Sequence, residues 1–191
     1  MPPTRTIKLK TKKVAGLKLP KARSTVLLGG NASGKLKLKP LFIHTSKNPR
    51  AMKGMKKEKL PVFWTNNKKA WMTTTVWEAW LKDNFIPEVK RDFRLKGIEF
   101  KVLLLVDNCS SHPDLSHIDP NVKMCFLPPN TTSLIQPMDQ GTIATVKALY
   151  KRITFAKAHE NYDTLVEFYK DFNILDAVLH FGEAWSLVTG Q

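Results

Sequence analysis

Two aspartates in the 191-residue chain stand where they could share a metal ion. Asp107 directly follows the apolar run 100–106 (FKVLLLV), and Asp139 lies in the segment QPMDQG, just before a helical pattern that begins near Thr142. We expect Asp107 at the C-terminal end of a buried strand, the edge where α/β sheets place ligands. Hard cations such as Mg²⁺ prefer oxygen ligands, and paired carboxylates hold them in phosphoryl-transfer enzymes. We therefore predict that Asp107 and Asp139 are the catalytic and metal-binding residues, with side chains about 4–8 Å apart.

Simpler structural interpretations exist for the same residues. Asp107 also fits a residue that ends a strand and caps the next turn, and Asp139 fits a helix N-cap. His112 and His117 flank the loop after Asp107. We interpret these two histidines as surface or capping residues in preference to metal ligands.

The glycine-rich segment 29–35 (GGNASGK) has the spacing of a phosphate-binding loop but lacks its other features. Residue 36 is leucine, where that motif needs a Mg²⁺-binding Ser or Thr, and a strand pattern follows where the motif needs a helix. We interpret the segment as a tight turn between two strands, 24–29 and 36–44.

The remaining elements must position the two aspartates. Apolar runs predict further strands at 100–106 and 122–127, and the short link between them allows only a loop or a short helix. Apolar residues at 3–4 spacing predict helices at 73–96, where Pro87 kinks or ends the helix before a continuation to Gly97, at 142–158, and at 165–187 with a break near Asn173. Strands mixed with covering helices indicate an α/β fold. We expect one mixed sheet, in which the last two strands are adjacent and parallel.

Four tryptophans could pack in the core or stack on nucleic-acid bases. Trp77 and Trp80 fall on the apolar face of the first predicted helix, so we assign them to the core. Trp64 and Trp71 lie among asparagines and lysines, and for these both packing and base stacking remain open.

Length and composition suit a single globular domain. Residues 1–23 form a basic arm and residues 24–191 the folded domain in our interpretation. No stretch of about 20 apolar residues is present, and the lysine-rich start does not resemble a secretory signal. Cys109 and Cys125 cannot build a disulfide framework or a four-ligand zinc site, so we expect two reduced core thiols.

The net charge of +15 is concentrated in the first third of the chain. Residues 1–59 hold 17 of the 31 Lys and Arg with a single acid, Glu58, whereas residues 60–191 hold 14 Lys and Arg against 15 acids. Such a block attracts polyanions, nucleic acid before anionic membrane, although a solvated tail without a partner is an alternative. We predict DNA binding of low sequence specificity, in the nucleus, through Lys35, Lys37, Lys39, Lys68, Lys69, Lys147 and Lys151.

Three long segments closely resemble one protein family. They are LPVFWTNNKKAWMT at 60–73, LLLVDNCSSHP at 103–113 and FLPPNTTSLIQPMDQGTIATVK at 126–147. They resemble the DDE-type endonuclease domain of Tigger transposases, which belong to the pogo branch of the mariner superfamily and are related to jerky proteins and centromere protein B. The resemblance covers nearly the whole chain, in matching order.

The resemblance implies a ribonuclease H-like fold with three metal-binding acids and Mg²⁺ as cofactor. Asp107 matches the second acid and Asp139 the third. The first acid belongs to a strand that precedes the segment resembling residues 1–7, and this chain has no Asp or Glu before Glu58. We therefore expect a domain without that first strand, which binds DNA but does not cut it. An active Mg²⁺-dependent nuclease and a degenerate transposon fragment without a selected role are the alternatives.

Overall fold

Most of the predicted elements appear in the computed structural model, which describes residues 23–129 and 131–189. In chain order the elements are β1 (Thr25–Leu27), β2 (Leu41–His44), β3 (Phe63–Asn66), α1 (Thr74–Trp80), α2 (Ile86–Lys96), β4 (Val102–Val106), β5 (Val122–Phe126), α3 (Thr132–Ile135), α4 (Ile143–Asn161), α5 (Leu165–Asp171) and α6 (Ile174–Ser186). The mixed α/β class is confirmed. The predicted basic arm, apart from Arg23, lies outside the described residues.

The strands form two small sheets. β2 is the centre of the first sheet and pairs antiparallel with β1 and parallel with β3. β4 and β5 form the second sheet and are parallel, in the register Val102 opposite Val122, which confirms the predicted neighbours. The prediction of one sheet is wrong for the described residues, because no ladder joins the two sheets there. Apolar patterning determines which face of a strand is buried, but it does not determine which edges pair.

The first two strands are shorter than predicted. The predicted strand 36–44 begins only at Leu41. β2 lies between two strands and donates backbone N–H groups to both, and Pro40 has no N–H to donate. Segment 29–35 is a turn, as predicted: Gly34 has a φ of +68°, and the Leu36 amide donates to Asn31 Oδ1 at 3.0 Å. Strand β3 was not predicted at all, because four residues without clear alternation carry little signal.

The first long helix follows the sequence pattern closely. Thr73 caps α1 by accepting a hydrogen bond from the Val76 amide at 3.3 Å. A π-helical turn at Leu81–Phe85 joins α1 to α2 without a break in the helix, and Pro87 follows directly after this turn. Gly97, with a φ of +65°, ends α2 in the left-handed conformation that glycine adopts without strain.

The main core lies between this helix pair and both sheets. Trp77 and Trp80 are 2% and 5% exposed and their rings lie 5.1 Å apart, so their predicted core positions are confirmed. Ile43 of β2 and Val106 of β4 belong to the same buried cluster. The two sheets therefore share one core although their strands do not pair.

The outer face of the second sheet is open. Leu103 and Leu105 of β4 are 61% and 50% exposed, so the prediction of a fully buried strand is wrong for alternate residues. Cys109 and Cys125 are free thiols, as predicted, but both are exposed, and their predicted core placement is therefore also wrong. Cys125 pairs with Leu105 across the β4–β5 ladder and shares its uncovered face. Among the described helices, none is both long and apolar enough to cross a bilayer.

The last helix, α6, packs against the first sheet. The break near Asn173 is confirmed, and Asn173 starts α6 with a capping box completed by Asp176. Trp185 Nε1 donates to the Leu38 carbonyl at 2.9 Å, which fixes α6 beside the turn between β1 and β2. The Lys37 ammonium caps the end of the same helix by donating to the carbonyls of Trp185 and Ser186 at 2.9 and 2.8 Å.

Gly182 allows α6 to pack closely on the chain before β3. A Cβ at this position would lie 2.4 Å from both Cβ and Cγ of Pro61. Glycine-to-alanine changes inside helices usually stabilise by about 1 kcal/mol, but here we expect Gly182→Ala to destabilise the domain by about 1–3 kcal/mol through overpacking. Urea unfolding followed by circular dichroism measures this loss. The loss should shrink when Gly182→Ala is introduced into a Pro61→Gly background, and an equal loss in both backgrounds would contradict this explanation.

Candidate active site

Asp107 lies where the sequence predicted, directly after β4. Val106, the last residue of that strand, is 6% exposed and anchors the strand end in the core. The Asp107 side chain is 34% exposed to solvent, and its Oδ1 atom lies 2.6 Å from His112 Nδ1. A carboxylate has two oxygens with about four acceptor sites, so this contact leaves capacity for a cation.

A pair of backbone turns brings His112 back over Asp107. The Cys109 amide donates to the Asp107 carbonyl at 2.9 Å, and the His112 amide donates to the Cys109 carbonyl at 2.9 Å. The His112 side chain is only 11% exposed and its ring lies 4.5 Å from the ring of Trp77 in α1. The interpretation of His112 as a surface residue was therefore wrong. The sequence does contain one indication of this contact: His112 follows Asp107 by five residues in a short loop, which keeps the two side chains close together.

The surroundings of His112 determine where its proton lies. Its Nε2 atom is buried and has no hydrogen-bond partner among the described residues, whereas Nδ1 faces the Asp107 carboxylate. A buried N–H without a partner is costly, so the neutral ring should carry its proton on Nδ1 and donate it to Asp107.

We expect long-range proton–nitrogen NMR to show the Nδ1–H tautomer for neutral His112. In the Asp107→Ala variant the preference for this tautomer should weaken, because the acceptor is gone. A dominant Nε2–H form in the unchanged protein would contradict this arrangement.

The donor set around Asp107 fits a divalent cation. One ligand atom each from Asp107, Cys109 and His112 lie within 4.8 Å of one another. The Asp107 oxygen suits Mg²⁺, while thiolate and imidazole suit transition metals. His112 would join such a site only after giving up the Nδ1 proton that it donates to Asp107. Asp139 does not belong to this cluster.

Asp139 lies exposed in the π-helical turn Met138–Thr142, which leads into α4. No side chain caps this turn, and Thr142 is the N-cap residue of α4. The alternative interpretation of Asp139 as the cap of α4 is therefore not observed. Gly141, with a φ of +104°, turns the chain between Asp139 and the helix. The distance between the carboxylates of Asp107 and Asp139 remains a prediction.

Comparison with known proteins identifies the family. The family model described as DDE superfamily endonuclease matches residues 21–191. The chain belongs to this family. This DDE domain is 35% identical over 191 aligned residues to human Tigger transposable element-derived protein 7, covering 91% of this chain and 34% of the relative.

Two mouse proteins give similar matches to the DDE domain. It is 32% identical to Tigger transposable element-derived protein 4, covering all of this chain and 35% of the relative, and 33% identical to Jerky protein, covering 90% and 29%. The chain therefore spans about a third of the length of these curated relatives. No solved structure matches it. The resemblance to Tigger transposases and jerky proteins is confirmed.

The predicted DNA-binding lysines of the DDE domain differ in their availability. Five are exposed: Lys35, Lys68, Lys69, Lys147 and Lys151. Lys37 is held by backbone carbonyls at the end of α6. Burial lowers the pKa of Lys39, although Glu88 and Glu58 act in the opposite direction, and its ammonium lies 5.0 Å from the ring of Phe63. We therefore expect Lys37 and Lys39 to contribute less to DNA binding than the five exposed lysines.

The two tryptophans left open by the sequence have different environments in the DDE domain. Trp64 is packed: its ring stacks on Phe42 at 5.6 Å and its Nε1 donates to the Lys47 carbonyl at 3.2 Å. Trp71 is 53% exposed, and the Lys69 ammonium lies 5.5 Å from its ring. Of the two, Trp71 is the more exposed, and Trp64 is half-buried.

Proposed function

We propose that this chain is a transposase-derived DDE endonuclease domain that binds DNA with little sequence preference and, on its own, does not cut it. The observation that carries the proposal is the combination of five exposed lysines with only two acids that match the family's catalytic positions. The matching acids are Asp107 and Asp139, and residues 1–57 of the chain contain no acid.

Phosphate contacts are the expected basis of binding. Lys147 and Lys151 lie one turn apart on α4 and are both exposed, so they project from the same side of the helix that follows Asp139. Lys68 and Lys69 lie in the loop after β3, close to the start of α1. Lysine ammonium groups bind the DNA backbone as point charges, which gives affinity without sequence information.

Packing beside β1 supports the convergence of Asp107 and Asp139. Leu27 packs against the core cluster that contains Val106, the residue before Asp107. The next residue, Leu28, packs against a second cluster together with Met138, the residue before Asp139. Adjacent residues of one chain segment thus belong to the two clusters that also contain the residues before the two aspartates. This arrangement, and the shared core of the two sheets, agree with the ribonuclease H-like fold that we propose for the domain.

The chain's own residues account for one part of a nuclease site. Asp107 offers a carboxylate that His112 orients from one side, and Asp139 would offer a second from the turn before α4. Mg²⁺, when bound by these oxygens, would stabilise charge on the reacting phosphate. Two carboxylates hold such an ion more weakly than three and leave the position of the attacking water undetermined. We therefore expect these two acids, by themselves, to support binding without cleavage.

A binding measurement at low salt tests the first half of the proposal. Fluorescence anisotropy of several labelled duplexes of unrelated sequence should show saturable binding with similar affinities. Absence of binding to every duplex at low salt would refute the proposal.

A nuclear location follows from DNA as partner, and imaging of a fluorescently tagged chain tests it.

A further inference from the structure

Trp71 stands apart from the other tryptophans of the chain. Trp77, Trp80 and Trp185 are buried, and Trp64 is half-buried, whereas Trp71 is 53% exposed. An exposed indole ring does not gain the large favourable free energy of burying an aromatic side chain, so core packing does not explain the position of Trp71.

The loop that carries Trp71 is held in one shape by Asn67. The Asn67 Oδ1 atom accepts hydrogen bonds from the amides of Lys69 and Trp71 at 3.2 and 3.1 Å. The Nδ2 group of the same side chain donates to the Trp71 carbonyl at 2.6 Å. The backbone amide of Asn67 donates to the His44 carbonyl at the end of β2. The loop is therefore anchored to the sheet and presents Trp71 in a defined orientation.

The residue before Trp71 is strained. Ala70 has a φ of +54° and is the only non-glycine residue with positive φ in the described part of the chain. It is also completely buried, which shows that packing beneath the loop maintains this conformation. Alanine in the left-handed region costs about 1–3 kcal/mol, and such strain persists where the surroundings enforce it, often at binding sites.

The loop leads directly into α1, the helix that packs against the Asp107 loop. Trp71 precedes the start of α1 by three residues, and Trp77 in that helix contacts His112 at 4.5 Å. Three extended residues and three helical ones span at most about 15 Å, so the Cα atoms of Trp71 and Trp77 lie within that distance. The Trp71 loop is therefore connected through α1 to the residue that packs on His112.

We propose that Trp71, with Lys68 and Lys69 beside it, is a stacking site for an unpaired DNA base. The flat indole face offers a surface to any base, and the adjacent lysines offer positive charge to the neighbouring phosphates. The Lys69 ammonium, 5.5 Å from the ring, places charge and stacking surface side by side. Bases in a duplex are already stacked on each other, so the site favours single strands or frayed ends. This inference rests on the proposed DNA binding and adds the form of DNA that this loop recognises.

The test compares a single strand of about 15 nucleotides with a duplex of similar length, using the full chain and its Trp71 variants. The single strand should quench tryptophan emission, and this quenching should vanish in Trp71→Ala. The same variant should bind the single strand about 5-fold to 150-fold more weakly, the range that one base–aromatic stack supplies. Duplex affinity should change less than about twofold, and Trp71→Phe should recover most of the single-strand affinity.

Leu95→Ala is the matched control, because Leu95 is an exposed apolar residue on α2 and its removal should change neither affinity. An unchanged circular dichroism spectrum and urea unfolding midpoint show that Trp71→Ala is folded. Equal single-strand affinity in Trp71→Ala and the unchanged chain would overturn the stacking site while leaving the proposed DNA binding intact. Failure of the unchanged chain to bind either DNA would overturn both.

Discussion

Removing four exposed lysines should lower the affinity for duplex DNA by about 10³-fold at 0.1 M salt. The four are Lys68, Lys69, Lys147 and Lys151. Each phosphate that a lysine neutralises releases a counterion, so log K falls by about 0.9 for each tenfold rise in salt. Replacing all four by alanine should therefore flatten the plot of log K against log salt by up to about 3.6, if each contacts one phosphate. Fluorescence anisotropy over a salt series measures both quantities.

The structure offers a control with the same change in formal charge. Four other lysines are paired with carboxylates on the surface: Lys82, Lys96, Lys101 and Lys157. Replacing this second set also removes four positive charges, but from positions that a neighbouring acid already neutralises. Its salt dependence should stay much closer to that of the unchanged chain. Equal losses in the two quadruple variants would show that net charge alone, and no particular surface, governs binding.

Trp77→Ala should be the most damaging single substitution in the core that supports the site. Trp77 is 2% exposed and packs against the rings of Trp80 and His112 at 5.1 and 4.5 Å. Removing such a side chain costs about 3–5 kcal/mol, a large share of the roughly 5–15 kcal/mol that stabilises a typical domain. Urea unfolding should show a midpoint shifted far to lower concentration.

The exposed Trp71 provides a control for the loss of stability expected in Trp77→Ala. Trp71→Ala removes the same side chain from the surface and should change the unfolding free energy by less than about 0.5 kcal/mol. Because His112 rests on the Trp77 ring, the loop that orients Asp107 should also lose order in Trp77→Ala. Similar stability of the two variants would contradict the placement of Trp77 in the core.

The parts of the fold with long periodic patterns could be predicted from the sequence. The α1–α2 pair, the break before α6 and the parallel pairing of β4 with β5 all follow from apolar spacing and from Pro, Gly and Asn at the helix ends. Strand β3 could not be predicted in this way, since its four residues gain their conformation from pairing with β2. The separation into two sheets depends on which strand edges form hydrogen bonds with each other, and local sequence patterns do not determine this.

The candidate site could be predicted only in part. The position of Asp107 follows from the apolar run before it, and the family from three contiguous segments. The role of His112 depends on two turns and on contact with Trp77, which comes from a different part of the chain. The difference between Trp64 and Trp71 likewise depends on tertiary packing, because both lie in similar polar sequence.

Incubation of the chain with supercoiled plasmid DNA and Mg²⁺ or Mn²⁺ tests the central claim most directly. Gel electrophoresis should show retarded but intact plasmid, and the Asp107→Asn variant should behave in the same way, with binding no weaker because a negative charge near the DNA is removed. Metal-dependent nicking or linearisation that Asp107→Asn abolishes would contradict the account. That result would mean that a further acid, such as Glu58 or one from a second chain, completes the site.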